Sequence, residues 1–225
     1  MGKIYTVVNQ KGGVGKTTTS INLGAYLGQF GQKVLLIDLD PQANATSCLG
    51  IDRHKVENGT YEVLIGAKSA LECVLHNARF KISLMPSSPN LSGAEIEMID
   101  LSDREKRLKT IVQSLTSSYD YILVDCPPSL GLLTLNGMIA AKDGVIIPVQ
   151  CEYLALEGLG QLTQTITRIR QGLFPELSIR GVLLTMFDGR TNLSSDVMSE
   201  VQKFFQDKVF STFIPRSIRL AEAPS

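Results

Sequence analysis

Short apolar segments alternate with longer stretches of helical periodicity along this chain. That alternation is typical of βαβ units, in which each crossover helix packs against a parallel sheet. Segments that are apolar on both faces are predicted to be buried strands, and they are residues 4–8, 34–38, 121–125, 145–149 and 181–185. The pattern therefore predicts an α/β fold, a doubly wound and mostly parallel sheet covered by helices.

The first predicted helix follows the first strand and covers residues 17–30. Its predicted apolar positions are Ile21, Leu23, Leu27 and Phe30. Gly31 is predicted to end this helix as a C′ glycine, because glycine readily adopts the left-handed conformation needed there.

Further helices are predicted over residues 103–115, 159–172 and 194–206. The last of them carries Val197, Val201 and Phe204 at i, i+4 and i+7 spacing, which places them on one apolar stripe. Residues 52–80 are predicted to form a short helical insertion. Because no internal repeat, linker or low-complexity segment interrupts the chain, we expect residues 1–225 to form a single domain.

Composition narrows the classes of function. The 225 residues include 22 Lys and Arg against 22 Asp and Glu, so any contact with nucleic acid must come from a local basic patch. The four cysteines lie far apart and lack metal-site spacing, which favours reduced thiols in a cytosolic protein over structural zinc. No signal peptide opens the chain and no apolar run approaches the ~20 residues that span a bilayer, so a soluble protein is expected.

One glycine-rich segment, QKGGVGKTT at residues 10–18, joins the first strand to the first helix. Glycines let a loop wrap closely around phosphate oxygens, and the N–H groups that open the helix add positive potential. In such a loop Lys16 would reach the β- and γ-phosphates, and the Thr17 hydroxyl would coordinate Mg²⁺. The usual pattern, GxxxxGK[ST], has glycine where this chain has Gln10. The segment predicts a nucleotide site that uses Mg²⁺.

Carboxylates follow two of the predicted strands. The segment 34–38 leads into Asp38 and Asp40, and the segment 121–125 ends on Asp125. Ligands bind at the carboxyl ends of strands in open α/β sheets. Asp125 fits a Walker B carboxylate that holds Mg²⁺ through water. Asp40 lies just beyond its strand, and a simple Asp-Pro turn is its alternative role.

The segment KGGVGKTT resembles the deviant Walker A motif of the ParA/MinD group of P-loop ATPases, and LIDLDPQANAT and DCPPS resemble two other segments of that group. The resemblance covers nearly the whole chain and implies a P-loop NTPase fold that binds ATP. It marks Lys11 as the signature lysine, which reaches across a dimer interface to the partner's phosphates and offsets charge in the transition state. It also implies that Asp40 orients or activates the attacking water, that Asp38 supports the Mg²⁺ shell and that Asn44 belongs to a nucleotide-sensing switch.

Within that group the chain is most similar to the ParA (Soj-type) partitioning branch, through QCEYLALEGL, MFDGRTN and PRSIRLAEAPS. The branch implies that Pro215 and Ser217 line the adenine pocket, although asparagine is common where this chain has Ser217. It implies that Arg190 and Arg219 bind DNA without sequence preference, with ordinary surface arginines as the alternative. The complete set of implied site residues is as follows: catalytic Lys11, Lys16 and Asp40; nucleotide-binding Lys11, Gly12, Gly13, Val14, Gly15, Lys16, Thr17, Thr18, Pro215 and Ser217; metal-binding Thr17, Asp38 and Asp125; DNA-binding Arg190 and Arg219.

The resemblance implies an ATPase cycle that depends on dimerisation. ATP would join two copies into a sandwich homodimer, which binds non-specific double-stranded DNA in the cytoplasm and associates with the nucleoid. Hydrolysis, stimulated by a ParB-like partner, would dissolve the dimer and release the DNA.

Two other members of the group are alternatives. MinD shares the nucleotide motifs but attaches to membrane by a C-terminal amphipathic helix. The present chain shows no such helix, and it is also shorter than ParA-type chains, which usually continue into a terminal helix. Nitrogenase-reductase-like members use paired cysteines to hold an iron–sulfur cluster, and the spacing of the cysteines here does not match.

Overall fold

The computed structural model describes residues 1–152 and 155–222. The strands in this part of the chain are β1 (Lys3–Val7), β2 (Val34–Asp38), β3 (Leu75–Asn77), β4 (Ile82–Met85), β5 (Tyr121–Asp125), β6 (Val145–Gln150) and β7 (Ile179–Thr185). They form one sheet in the order β3-β4-β2-β5-β1-β6-β7. The short strand β3 pairs antiparallel with β4, and the other pairs are parallel. The predicted α/β class with a mostly parallel sheet is confirmed.

Helices connect most of these strands. They are α1 (Lys16–Gln29), α2 (Asn44–Cys48), α3 (Thr60–Ile65), α4 (Leu91–Glu97), α5 (Arg107–Leu115), α6 (Leu132–Ala140), α7 (Ala155–Gly172), α8 (Asn192–Phe205) and α9 (Ile218–Glu222). Short 3₁₀ segments lie at Arg53–Lys55, Ala70–Cys73, Arg104–Lys106 and Gln206–Lys208.

The sheet is covered on both faces, as a doubly wound fold requires. Leu35 and Ile37 of β2 belong to the larger hydrophobic cluster, whereas Val34 and Leu36 belong to the smaller one. Alternate strand residues point to opposite faces, so these assignments place the two clusters on opposite sides of the sheet. All five residues of β2 are buried, which is why this strand has a continuous apolar sequence.

Helix α1 packs against the sheet through its small residues. Ser20, Gly24 and Gly28 are buried, and a Cβ at Gly28 would lie 2.5 Å from the carbonyl oxygen of Lys81. Phe30, one of the four apolar positions named for this helix, is 79% exposed. Phe30 lies beyond the contact because it follows Gln29, the last residue of α1, whose small residues face the sheet. Gly31 adopts φ +81°, as predicted for the residue that ends the helix.

Helix α8 buries a slightly different stripe from the predicted one. Val197 and Val201 are buried, as expected, but Phe204 is 64% exposed and Phe205 is the buried ring. The buried positions follow i, i+4 and i+8, so the face is rotated from Phe204 towards Phe205.

The insertion at residues 52–80 is only partly helical. It contains α3 and two 3₁₀ segments, but it also supplies the edge strand β3. Helix α6 was not predicted from the sequence because seven of its nine residues are buried, and a helix buried nearly all round lacks the polar face that gives helical periodicity. The cysteines are free thiols, with Cys48 half-buried and Cys73, Cys126 and Cys151 buried.

Candidate functional site

The candidate site lies where the carboxyl ends of β1, β2 and β5 meet. Asp38 of β2 is the register partner of Asp125 of β5, and Asp125 is also the partner of Val7 in β1. The glycine-rich loop starts directly after β1 and ends where α1 begins. Helix α1 covers one face of the sheet and α6 the other, so the loop opens at a point where the winding of the chain reverses. Such a point is where open α/β sheets bind ligands.

Two glycines of the loop adopt conformations that favour glycine. Gly13 has φ +73° and Gly15 has φ +88°. Gly15 is the N-cap of α1 and provides no side-chain hydrogen bond to the first turn. The N–H groups that open α1 are therefore available to an anion. Gly12 does not adopt a left-handed backbone conformation. A Cβ at this position would lie 4.0 Å from Pro128 Cβ, so a side chain here would not clash, and glycine serves only to keep the loop open.

Lys16 is folded back onto this loop. Its side chain is buried, and Nζ donates a 3.0 Å hydrogen bond to the carbonyl oxygen of Lys11. Burial lowers the pKa of Lys16, and the nearby carboxyl of Asp125 opposes that shift. A buried ammonium with a backbone carbonyl as its acceptor gains free energy from any anion that enters the loop.

Side chains from distant segments fix the path of the loop. Asn9 Nδ2 donates to the carbonyl oxygen of Pro148 at 2.8 Å, and Asn9 Oδ1 accepts from the N–H of Lys11 at 3.0 Å. Thr185, the last residue of β7, donates to the carbonyl oxygen of Val14 at 2.8 Å. The loop is thereby held in shape before any ligand is bound, which lowers the entropic cost of binding.

Gln10 occupies the position at which the usual pattern has glycine, and the structure gives it a role. Its Nε2 donates to the carbonyl oxygen of Gly158 at 3.1 Å and to Oε1 of Gln161 at 2.9 Å. Both acceptors belong to α7. The departure from the usual motif therefore joins the loop to a neighbouring helix.

Asp125 is fully buried and accepts hydrogen bonds from α1 on both oxygens. Thr17 Oγ1 donates to Oδ2 at 2.7 Å and Ser20 Oγ donates to Oδ1 at 3.0 Å. Burial raises the pKa of Asp125 and the neighbouring Asp38 carboxyl raises it further, while the two hydroxyl donors lower it.

Asp38 is the second buried carboxyl of the site. Its Oδ2 accepts from the N–H and the hydroxyl of Thr46, at 2.9 and 2.7 Å, and its Oδ1 accepts from the N–H of Asp40 at 3.2 Å. Burial again raises its pKa. Two desolvated carboxyls on adjacent strands are costly to ionise unless a cation offsets their charge.

These oxygens fit Mg²⁺. Thr17, Asp38 and Asp125 supply hard oxygen donors only, which is the ligand type that Mg²⁺ prefers. The described residues contain no group of three or more His, Cys, Asp or Glu side chains arranged to hold a metal. Mg²⁺ is commonly held by one or two carboxylates together with waters and substrate phosphates.

Asp40 lies in a tight turn after β2. Its Oδ1 accepts from the N–H of Gln42 at 2.9 Å, and its carbonyl oxygen accepts from the N–H of Ala43 at 2.8 Å. The side chain is nonetheless mostly buried beside the site. Asn44, the predicted switch residue, is the exposed first residue of α2. The turn interpretation of Asp40 describes its hydrogen bonds, and a chemical role in addition remains a proposal.

The predicted adenine-contact segment is attached to the same end of the sheet. Pro215 forms a parallel bridge with Phe187, and Phe187 follows β7 by two residues. Pro215 is exposed and Ser217 half-buried. Since the end of β7 contacts Val14 through Thr185, this segment lies close to the loop.

The two predicted DNA-contact residues lie on different elements, Arg190 in the loop after β7 and Arg219 on α9, and both are exposed. Arg190 is paired with Asp188, with Nε at 2.8 Å from Oδ1 and Nη2 at 2.7 Å from Oδ2. The hydrogen bonds from Arg190 lower the pKa of Asp188 to about 2. Asp188 is therefore ionised at neutral pH and offsets part of the charge of Arg190.

Sequence reasoning missed several residues that contact the site. Ser20 could have been found, because it lies one helical turn beyond Lys16 and therefore faces the same strand end. Thr46 contacts Asp38 from eight residues further along the chain, and Thr185 contacts Val14 from a distant segment. Glu152 falls within the segment QCEYLALEGL, and it contacts both Lys11 and Arg216.

Known proteins with similar sequences identify the family of this chain. A family model described as an AAA domain matches residues 2–179. The sporulation initiation inhibitor protein Soj of Bacillus subtilis is 52% identical over 225 residues, covering 100% of this chain and 88% of that protein. The chromosome partitioning protein ParA of Myxococcus xanthus is 49% identical over 226 residues, covering 100% and 79%.

Among solved structures, the cobyrinic acid a,c-diamide synthase of Mycobacterium smegmatis superposes with a TM-score of 0.92 at 40% identity, covering 100% of this chain and 91% of that one. It was solved with ADP and magnesium, and also with an ATP analog and magnesium.

The parallel doubly wound sheet, with a glycine-rich loop leading from β1 into α1, defines a P-loop NTPase. Within that class the chain belongs to the family of the Soj and ParA chromosome-partitioning ATPases. Across the described part of the chain, no helix has the length and apolar character needed to cross a membrane.

Proposed function

We propose that this protein is an ATP-dependent DNA-segregation switch. The observation that carries the proposal is the meeting of Lys16, the Thr17–Asp125 pair and Asp38 at one strand end, in a chain that is 52% identical to Soj over its full length. ATP binding joins two copies, the dimer binds DNA, and hydrolysis separates them.

The phosphates of ATP occupy the glycine-rich loop. Gly12, Gly13 and Gly15 let the backbone approach them, and the N–H groups that begin α1 donate to their oxygens. Lys16 exchanges its bond to the Lys11 carbonyl for the β- and γ-phosphates. Thr17, Asp125 and Asp38 hold Mg²⁺, which when bound neutralises phosphate charge. Pro215 and Ser217 contact the base.

Hydrolysis adds water to the γ-phosphorus and breaks its bond to the β–γ bridging oxygen, giving ADP and phosphate. Asp40 orients the water and accepts its proton as the new P–O bond forms. Lys11 of the second subunit offsets the charge that develops on the transferred group. Because that lysine comes from the partner, a lone subunit hydrolyses ATP slowly.

The dimer resolves how an electrically neutral chain binds a polyanion. Each subunit contributes Arg190 and Arg219, so the dimer presents two copies of each of these arginines. Two linked weak sites bind a common polymer far more tightly than one. Contacts with phosphates carry no sequence information, so binding is independent of DNA sequence. A ParB-like partner that accelerates hydrolysis then promotes release.

The test compares DNA with membrane as the target of the ATP-bound form. Purified protein is mixed with unrelated DNA duplexes or with anionic liposomes, in the presence of a non-hydrolysable ATP analogue or of ADP. The expected result is binding to every duplex with the analogue, little binding with ADP and none to liposomes. Analogue-dependent binding to liposomes without binding to DNA would instead support the MinD-like alternative.

A further inference from the structure

Glu152 lies between two cations from different parts of the chain. Its Oε2 is 3.8 Å from Lys11 Nζ, and its Oε1 is 3.2 Å from Arg216 Nη2. Gln150, the last residue of β6, donates to Oε1 at 2.6 Å. The carboxylate therefore joins the glycine-rich loop to the segment that follows Pro215, and Gln150 fixes the position of the oxygen that faces Arg216.

The backbone of Lys11 has little freedom of its own. Its N–H donates to Asn9 Oδ1, and its carbonyl oxygen accepts from Lys16 Nζ, both at 3.0 Å. The direction of the Lys11 ammonium is consequently set by the torsions of its side chain and by the group that attracts it. In this structure that group is Glu152, in the same subunit.

We propose that Glu152 is a positioning residue that retains Lys11 in its own subunit and competes with the phosphates bound by a second copy of the chain. This inference rests on the proposed ATP-dependent dimer. Lys11 must leave Glu152 before it can cross the interface, so dimerisation breaks one such pair in each subunit. The retained state disfavours association of the subunits until bound ATP offers the stronger anion.

Arg216 tunes this competition because it shares the carboxylate. While Arg216 is bound to Oε1, part of the negative charge of Glu152 is already offset, and its hold on Lys11 is weaker. Loss of the Arg216 charge leaves Lys11 as the main counter-ion and strengthens the hold. Removal of charge at Glu152 and at Arg216 should therefore change dimerisation in opposite directions.

The expected effect of Glu152 on the association constant of the dimer is modest. The Lys11 and Glu152 side chains are 31% and 44% exposed, and exposed ion pairs shift an equilibrium by up to about fivefold. Since the dimer breaks two such pairs, the association constant of the Glu152→Gln variant should rise by roughly 2- to 25-fold. The affinity of the monomer for ATP should change less than the association constant, because the Lys11 that Glu152 holds acts on the phosphates of the other subunit.

The experiment measures association by sedimentation with a non-hydrolysable ATP analogue, and monomer affinity for nucleotide at high dilution. The variants are Glu152→Gln, Arg216→Gln and the double substitution, with Glu200→Gln as the matched control, since Glu200 pairs with Lys203 on the surface of α8. Glu152→Gln should tighten the dimer, Arg216→Gln should weaken it, and Glu200→Gln should change nothing. Arg216→Gln should lose its effect in the Glu152→Gln background.

The salt dependence of dimerisation distinguishes an electrostatic role of Glu152 from a merely structural one. The advantage of Glu152→Gln over the wild type should shrink as KCl is raised, because salt screens the ion pair. A dimer that Glu152→Gln weakens or leaves unchanged would overturn the proposal, and so would an advantage that persists at high salt. If wild type and Glu152→Gln both stay monomeric with the analogue, the proposed dimer fails and this inference fails with it. If the wild type dimerises and Glu152→Gln does not differ, only the role of Glu152 is rejected.

Discussion

The Thr17 hydroxyl donates a 2.7 Å hydrogen bond to Asp125 Oδ2, and this bond joins residues 108 positions apart in the chain. It connects the first turn of α1 to the end of β5 beside the glycine-rich loop. Ser20 donates to the other oxygen of the same carboxyl, so α1 satisfies a group that is otherwise shielded from water. In the proposed ATP-bound state, Thr17 and Asp125 would hold Mg²⁺, with the Thr17 hydroxyl as one of the oxygen donors.

The first prediction concerns Thr17→Val, which keeps the shape of the side chain and removes its hydroxyl. Mg²⁺-dependent ATP binding should weaken by roughly 10- to 100-fold, the usual scale for loss of a hydrogen bond or ligand contact to a charged group. Titrations with Mg²⁺ and with EDTA measure the effect, which should be present only with Mg²⁺. Thr17→Ser retains the hydroxyl and should bind ATP nearly as the wild type does. An equal loss in EDTA would show that the substitution damages the loop itself.

The second prediction separates the two roles of Asp40. Asp40→Asn retains an oxygen that can accept from the N–H of Gln42, as Asp40 Oδ1 does at 2.9 Å, but amide chemistry removes the base. ATP should still bind and bring subunits together, while hydrolysis falls by about 10²–10⁴-fold. Phosphate release and light scattering measure the two properties on one sample. Normal hydrolysis by Asp40→Asn would leave the turn as the only function of this residue.

How much of the fold could be predicted from sequence depended on burial. Strands β2 and β5 have the predicted bounds because central parallel strands are buried on both faces and form continuous apolar runs. Helix α6 escaped prediction because it is buried nearly all round. Phe30 and Phe204 were named as apolar helix positions from periodicity alone, which does not say how closely a helix approaches its neighbour.

Some residues of the candidate site could be predicted from the sequence and others could not. Lys16, Thr17 and Asp125 could be predicted because a short motif or a strand end specifies their location, and the structure brings them together. The roles of Thr185 and Glu152 arise from contacts between segments that lie far apart in the chain, whereas Thr46 lies only eight residues beyond the carboxylate that it contacts. Thr46 and Glu152 belong to the segments LIDLDPQANAT and QCEYLALEGL, but these segments do not say which of their side chains contact the site, so only the folded arrangement identifies their roles.

The third prediction tests whether Lys11 acts in the neighbouring subunit. Lys11→Ala should bind ATP as a monomer but dimerise and hydrolyse ATP poorly. Lys16→Ala should bind ATP poorly in its own site, because it lacks the cation at the β- and γ-phosphates. In a mixed dimer, one of the two sites has Lys16 from one chain and Lys11 from the other, so mixing the variants should restore part of the ATPase activity. Differently tagged chains show whether mixed dimers form. Mixed dimers that form without any recovery of activity would contradict action in trans.

The last prediction assigns DNA binding to Arg190 and Arg219 and leaves ATP chemistry to the loop. Arg190 is 88% exposed, and its charge is partly offset by Asp188, with which it makes a two-point contact. Arg190→Ala and Arg219→Ala should retain ATP binding and dimerisation and lose DNA affinity. Asp188→Asn should raise DNA affinity, because it releases the Arg190 guanidinium to phosphate oxygens.

Salt dependence makes this assignment quantitative. Each arginine occurs twice in the dimer, so one substitution removes up to two phosphate contacts and should reduce the log–log salt slope by roughly two. DNA titrations at several salt concentrations, with the non-hydrolysable analogue and with ADP, measure that slope. Arg79→Ala is the matched control, since Arg79 lies over the Phe80 ring near β3, at the edge of the sheet opposite β7. Unchanged affinity and slope in the Arg190→Ala/Arg219→Ala double variant would place the DNA surface elsewhere, with Lys203, Lys208 and Arg216 as the next residues to substitute.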